Sequence, residues 1–435
     1  MTNLHLLYPE IALSLMALGL LVADLFVARE HRKALYQLAL VGSLLALFWT
    51  GGSMSAGGQA AGLGAWKMWA VDPLSQFFKI LILMTTVLAL VIGHEYEGLP
   101  ENQAGTFSCL LLLASAGMMF LVSSVDLLMV FISLELISIS SFILSGFERF
   151  NPKSNEGAVK YFVFGAFSSA VMIFGISLVY GATGDTSLTV AASAGNPVYL
   201  LGMLFVLLGF GFKASMAPMH FWVPDAYEGA PTPVTAYLSV APKIAAMAAI
   251  LRIFTVLVPS ASLDLTALLT LLAILTMTVG NFTALFQDNA KRLLAYSSIA
   301  QAGYIMIGIV AGGERGLQGV LLYSAVYVAM NIGAFAVVIA VAQGRAGKGG
   351  DAYSLSGFNG LSARNFGLSM AMVFFLLSLA GIPPLAGFIG KFYIFLAAME
   401  AKHYALAVAG VLNSVVSVFF YMKIVFHMFL KKGET

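Results

Sequence analysis

Apolar runs of about 20 residues recur along nearly the whole chain, each long enough to cross the hydrocarbon core of a bilayer. A run such as LYPEIALSLMALGLLVADLF has no stable home on a water-facing surface. Of the 435 residues, 60% are hydrophobic and only 10% charged, against roughly 25% charged in a soluble domain. The runs are continuous rather than alternating, which excludes a β-barrel. The fold class is therefore an all-α polytopic membrane protein. A net charge of +2 leaves no footprint for nucleic acid. The lone Cys109 precludes an internal disulfide and reads as a small buried hydrophobe. Residues 4–27 are too long for a cleaved signal peptide and lack a basic leader, so they read as the first span.

Thirteen spans are expected, at about 4–27, 34–52, 72–93, 104–123, 126–146, 157–182, 197–229, 231–257, 264–285, 293–311, 317–342, 366–400 and 404–430. Basic residues in the connections set the orientation. One side collects Arg29, Arg32, Lys33, Arg149, Lys153, Lys291, Arg292, Arg345, Lys348, Arg364, Lys431 and Lys432, and the other Lys67, Arg315 and Lys402. That asymmetry places the first side in the cytoplasm and the N-terminus outside. The Gly-rich stretch 343–365 reads as a flexible or amphipathic linker. Two spans, the seventh and twelfth, are too long and carry prolines (197–229 and 366–400). Interrupted spans in corresponding places of two five-span units point to an internal repeat, with the transport path at the breaks.

The remaining basic residues, Lys79, Lys160, Lys213, Lys243, Arg252, Lys391 and Lys423, fall inside spans. Glu135 sits midway along DLLMVFISLELISISSFILSG, where a charge costs roughly 2.5–3.5 kcal/mol on insertion scales. Lys213 lies five residues before Pro218. A proline within a helix removes a backbone donor and opens it, and open backbone at membrane depth must face protein or water. Glu135 and Lys213 are the natural pair. Burial disfavours an ammonium and a nearby carboxylate favours it, so moving the two apart would free a proton. Lys243 follows Pro242, and Lys391 follows the proline-broken IPPLAGFIGK. For both, the competing reading is a snorkelling stem. His220 reads equally as a proton shuttle or as a partner for exposed backbone. Lys79, Arg252 and Lys423 lie nearer span ends, where snorkelling is favoured; so does Lys160, with less force. The scattered histidines predict no metal site. The residues by themselves argue for ion or proton passage through a helical bundle.

HFWVPDAYEGAPTPVTAYLSVAPK and KRLLAYSSIAQAGY resemble hallmark segments of the antiporter-like proton-channel family, which includes membrane subunits of respiratory complex I and of Mrp cation/proton antiporters. The resemblance covers essentially the whole chain. It implies two inverted five-helix repeats, spans 4–8 and 9–13, with breaks in spans 7 and 12, and so sets the divisions at 1–103, 104–257 and 264–430. It also implies proton transfer by Glu135 and its partner Lys213, by the central Lys243, and by Lys391 near the outer exit. His220 would assist between lysines. There are two departures. Gln301 stands where the family usually has histidine, and the family's bacterial members usually have fourteen spans.

The function so implied is proton translocation within NADH:quinone oxidoreductase, driven by quinone reduction elsewhere. The chain would be a non-redox subunit of a translocase without a cofactor of its own; NADH, FMN, iron–sulfur clusters and quinone would belong to other subunits. Its partners would be neighbouring antiporter-like membrane subunits, lipid, protons and water, in a bacterial plasma membrane. The alternatives are a subunit of an Mrp-type antiporter or membrane-bound hydrogenase, and a structural scaffold with an inactive channel.

Overall fold

In lipid, every backbone polar group must be satisfied within the protein, which leaves the helix as the default for a chain of continuous apolar runs. The computed structural model describes residues 7–28, 31–55, 62–63, 68–99, 103–188, 196–257, 265–345 and 351–432. Arg29, Lys67 and Lys348, counted above among the connections, lie outside the described residues. Among the described residues, eleven helices are long and apolar enough to cross a membrane. They are α1 (Tyr8–Phe26), α2 (Lys33–Ser55), α3 (Pro73–His94), α4 (Ala104–Ser123), α5 (Leu127–Ser145), α6 (Pro152–Thr183), α9 (Thr232–Leu257), α10 (Leu265–Leu285), α11 (Ala290–Ala311), α12 (Gly313–Gln343) and α16 (Tyr404–Phe429). Between them come α7 (Pro197–Lys213), α8 (Val223–Gly229), α13 (Leu361–Arg364), α14 (Phe366–Ala380) and α15 (Ala386–Glu400). A two-residue ribbon pairs β1 (Gly62–Leu63) with β2 (Ala70–Val71).

Helix starts follow a repeated local chemistry. Asp72-Pro73, Asn151-Pro152 and Asn196-Pro197 open α3, α6 and α7. In each, the side-chain oxygen accepts from first-turn amides, while proline occupies a position whose N–H has no intrahelical partner. Asp126 and Asn289 cap α5 and α11 in the same way, without the proline. The sequence-defined spans 197–229 and 366–400 each arrive as two helices, α7 with α8 and α14 with α15. Helices α6 and α12 run longer than their expected spans, and the extra turns carry polar residues beyond the apolar stretch.

The chain divides into two compact units. The first comprises Met1–Ala214 with Gly229–Leu265, and the second Ser215–Glu228 with Thr266–Thr435. In the first, α9 is buried along its whole apolar window and α4 along most of its own, whereas α1, α2 and α6 leave large apolar faces outward. Helices α6 and α7 approach closely. A Cβ on Gly175 would stand 2.6 Å from the Gly202 carbonyl oxygen, and one on Gly202 would stand 2.7 Å from that of Gly175. Small residues let helix backbones meet in this way where no hydrophobic force drives association. In the second unit α11 is the buried centre, packed by α12, α15 and α16.

Candidate functional site

Helix α5 presents Glu135 in its middle, and Ser138 lies on the same face one turn on. The Ser169 hydroxyl of α6 donates to the Glu135 carboxylate. Lys213 is the last residue of α7 and is 2% exposed. Its ammonium donates to Ser138 Oγ at 3.0 Å and to Tyr161 Oη at 3.3 Å. It also lies 5.5 Å from the Tyr161 ring and 5.9 Å from the Phe142 ring. Glu135, Ser138, Ser168, Ser169 and Lys213 line one small cavity of about 10 Å³, the room of a single water molecule. The structure thus brings Glu135 and Lys213 together through hydroxyls around a shared space. The direct contact at about 4 Å that their pairing suggests does not form; Ser138 takes the ammonium and Ser169 the carboxylate.

Lys243 belongs to the same unit, on α9, and is buried. His220 and Lys391 belong to the second unit. His220 is buried and stacks on Phe221, with ring centroids 4.6 Å apart. Two acidic residues of α8, Asp225 and Glu228, hold the Arg292 guanidinium at 2.6 and 2.8 Å, so one ion-pair cluster ties the two hallmark segments together.

Lys391 sits where α14 ends, and the accounting of backbone acceptors there is complete. The last four carbonyls of a helix lack intrahelical partners. Here the Leu377 oxygen accepts from the Gly381 and Ile382 amides, and that of Ser378 from the Gly381 amide. The Leu379 oxygen accepts from Gln301 Nε2 at 3.2 Å. The Ala380 oxygen accepts from Lys391 Nζ at 3.1 Å and from Ser414 Oγ at 3.0 Å. The Lys391 ammonium also donates to Ser414 Oγ at 3.0 Å and lies 4.3 Å from the Tyr304 ring centroid. Gly381 turns the chain with φ +85°, and a Cβ there would meet Lys391 Cδ at 2.8 Å. The site accepts only glycine on both counts.

Gln301 is the hub beside this helix end. Besides Leu379, its Nε2 donates to Tyr421 Oη at 3.0 Å, and its Oε1 accepts from the Tyr323 hydroxyl. Tyr421 shares a further 2.5 Å bond with Ser297. All four side chains are buried. In place of the titrating imidazole that the resemblance leads one to expect, an amide locks two tyrosines and a helix terminus.

Several span-end readings are corrected. Lys79 does not snorkel; it is 1% exposed and its Nζ lies 2.5 Å from Glu10 of α1. Arg252 forks onto both carboxylate oxygens of Asp72 at 2.8 and 2.9 Å. Lys423 clamps the connection before α11, donating to Asp288 and to the Gln287 carbonyl. Lys160 is not among these corrections: its side chain faces outward, as snorkelling requires, and pairs with Glu156 at 2.5 Å. Lys291, counted in a connection, is buried with its ammonium 4.7 Å from the Tyr353 ring. The site residues that sequence reasoning overlooked are Ser138, Tyr161 and Ser169. The available signals were the three-residue spacing of Ser138 from Glu135, and Tyr161 one step around its helix from the more conspicuous Lys160. Among the described residues, no group of three or more His, Cys, Asp or Glu side chains is placed to hold a metal ion.

Comparison with known proteins gives this architecture its relatives. The family model described as NADH:quinone oxidoreductase/Mrp antiporter, transmembrane, matches residues 124–417. NADH-quinone oxidoreductase subunit N of Trichlorobacter lovleyi is 43% identical over 99% of this chain and 88% of its own. The protein of the same name from Moorella thermoacetica is 42% identical over 99% of this chain and 89% of its own. Among solved structures, a chain of respiratory complex I from Thermus thermophilus superposes with a TM-score of 0.81 at 32% identity, covering 98% of this chain and 91% of that one. These likenesses, over a helical chain with eleven candidate membrane crossings, support a multi-pass, proton-translocating subunit of a membrane complex. The chain belongs to the NADH:quinone oxidoreductase/Mrp antiporter family, among the NADH-quinone oxidoreductase N subunits.

Proposed function

We propose that this subunit carries protons across the membrane within NADH:quinone oxidoreductase, along Glu135, Lys213, Lys243, His220 and Lys391, with quinone reduction elsewhere in the complex as the driving reaction. The observation that carries the reading is the shared cavity of Glu135 and Lys213. A carboxylate and an ammonium are kept at membrane depth, separated by hydroxyls that can pass a proton. Burying such groups is costly, and in membrane proteins they mark ion and proton pathways. Lys213 ends α7 and donates to Ser138 Oγ of α5, and Lys391 donates to Ser414 Oγ of α16 and to the Ala380 carbonyl that the end of α14 leaves without an intrahelical partner. A change at the Glu135–Lys213 pair would pass a proton from Lys213 toward Lys243, with His220 assisting, and then to Lys391 and the outer side. Moving one charge against the membrane potential takes about 2.3 kcal/mol per 100 mV. Charges about 4 Å apart at an effective dielectric near 20 couple by about 4 kcal/mol, and Glu135 and Lys213, parted by hydroxyls, couple by less.

The chain needs no redox group for this role, since its part is to bind and release protons; the oxidation chemistry belongs to partner subunits. Counting α7–α8 and α14–α15 as one interrupted crossing each, beside the eleven long helices, gives thirteen crossings. Those crossings would divide as three N-terminal helices (1–103) and two inverted five-helix repeats (104–257 and 264–430). The N-terminus would lie outside a bacterial plasma membrane, with neighbouring antiporter-like subunits as partners. Identity above 40% to chains named as subunit N favours this reading over an antiporter or hydrogenase subunit. Lys213→Ala in the assembled complex tests it. Fewer protons pumped per electron pair are expected, and an unchanged ratio would reject the role.

A further inference from the structure

The ion pair between Glu10 and Lys79 lies outside the residues matched by the family model. Glu10 is 0% exposed and Lys79 1%. Beyond the ammonium, no hydrogen-bond donor among the described residues reaches either carboxylate oxygen of Glu10. A buried ion pair held by a single contact gains little over apolar side chains of similar size. Packing therefore gives no reason to keep two charges here. With one donor and one acceptor in contact, the proton between them has two places to be. The charged form is favoured by attraction and the neutral form by its lower desolvation cost.

The pair also has a definite place in its unit. On α3, Asp72, Lys79 and Thr86 recur every seven residues, close to two helical turns, and so share one face. The flanking members both reach α9. Asp72 takes the Arg252 fork at 2.8 and 2.9 Å. Thr86 meets Ser115 Oγ at 2.7 Å, and Ser115 meets Tyr237 Oη at 2.7 Å. Tyr237 and Arg252 lie on either side of Lys243 along that helix. Lys79 is the middle member of a polar row laid against the helix that carries the central lysine.

We propose that Glu10 and Lys79 form a second proton-exchange site of this subunit, one that holds a proton beside α9 and takes part in the transfer centred on Lys243. The proposal rests on the proton-translocation reading above. In the exchange, an N–H bond of the Lys79 ammonium breaks and an O–H bond forms on the Glu10 carboxylate. The charged pair becomes a neutral amine and a neutral acid, and the reverse step restores it. Since the charged pair carries a much larger dipole than the neutral pair, the step changes the field along α9, which is buried.

The test uses the complete complex in membranes, with Glu10→Gln, Lys79→Met and the double variant. A pair that serves packing alone tolerates loss of both charges together. The proposal instead expects the assembled double variant to pump fewer protons per electron pair. It also expects a redox-driven infrared difference spectrum of the parent complex to contain a protonated-carboxyl band that disappears in Glu10→Gln. A double variant with the parent pumping ratio, or a spectrum untouched by Glu10→Gln, overturns it. Should the double variant fail to assemble, Glu10→Asp decides the matter, because a carboxyl band that does not shift overturns the proposal as well. Lys213→Ala serves as the control. If that variant also pumps at the parent ratio, the translocation reading itself fails; if it is impaired while the double variant is not, only the second site does.

Discussion

The side-chain amide of Gln301 offers one acceptor and one donor group, and α11 uses both in a buried position. Its oxygen takes the Tyr323 hydroxyl, and its nitrogen serves Tyr421 and the Leu379 carbonyl at the end of α14. Leucine has nearly the same volume and can serve none of them. Each buried polar group left unsatisfied costs roughly 1–3 kcal/mol. Gln301→Leu is therefore expected to lower the thermal midpoint of the solubilised complex clearly. Gln301→Asn, which keeps the chemistry and shortens the reach, should lower it less; equal midpoints for the two would show that the amide bonds are immaterial. Glu135 and Lys213 were legible in the sequence because a charge inside an apolar run has few explanations. Ser169 and Ser138 were not. Hydroxyl residues in these helices commonly bond a carbonyl one turn back, as Ser43, Thr50, Thr85 and Ser141 do. A serine that instead serves a carboxylate on the next helix looks identical on paper.

At the scale of the helix, α3 shows how an end is secured where lipid gives way to water. Asp72 accepts from the Ser75 amide at 2.8 Å, the Ser75 hydroxyl accepts from the Asp72 amide at 2.9 Å, and Arg252 of α9 grips the carboxylate from outside. Burial raises the proton affinity of the Asp72 carboxyl, but the Arg252 guanidinium and the Ser75 bonds outweigh it and hold its pKa below the ordinary value. The sign follows from linkage. A carboxyl whose folded pKa is depressed contributes stability above its unfolded pKa, near 4, and loses that contribution as pH falls through the folded value. Thermal midpoints of the parent complex and of Asp72→Asn should therefore differ most near neutral pH and converge in acid. A constant gap across that range would rule out the ionised cap as its source. Asp-Pro and Asn-Pro pairs state both cap and first turn locally, yet the sixth span expected from hydropathy began at 157 and missed the Asn151-Pro152 start. Partner choice was not readable. Lys79 stood a few residues inside its span, a position that suits snorkelling, and only the packing of α1 brings Glu10 to it from 69 positions away.

For the molecule as a whole, the open quantity is the parity of the crossings, and it depends on whether α7 with α8 passes through the membrane once. Arg149 precedes α6 and Arg315 lies in the first turn of α12, and both are exposed. Between them run α6, the α7–α8 pair, α9, α10 and α11. If the pair crosses once, the crossings are five and the two arginines lie on opposite faces. If it enters and returns, they are four and the arginines share a face. In the orientation proposed above, Arg149 lies on the cytoplasmic side. The native chain has a single cysteine, the buried Cys109, so cysteines introduced by Arg149→Cys and Arg315→Cys in a Cys109→Ala background report only on themselves. A membrane-impermeant maleimide should label Arg149→Cys in inside-out vesicles and Arg315→Cys in right-side-out ones. Labelling of both from one face would mean that α7–α8 re-enters rather than spans. Lys213, which ends α7, would then face a re-entrant loop instead of a path between the two sides, and the proton route proposed here would have no continuity across the bilayer.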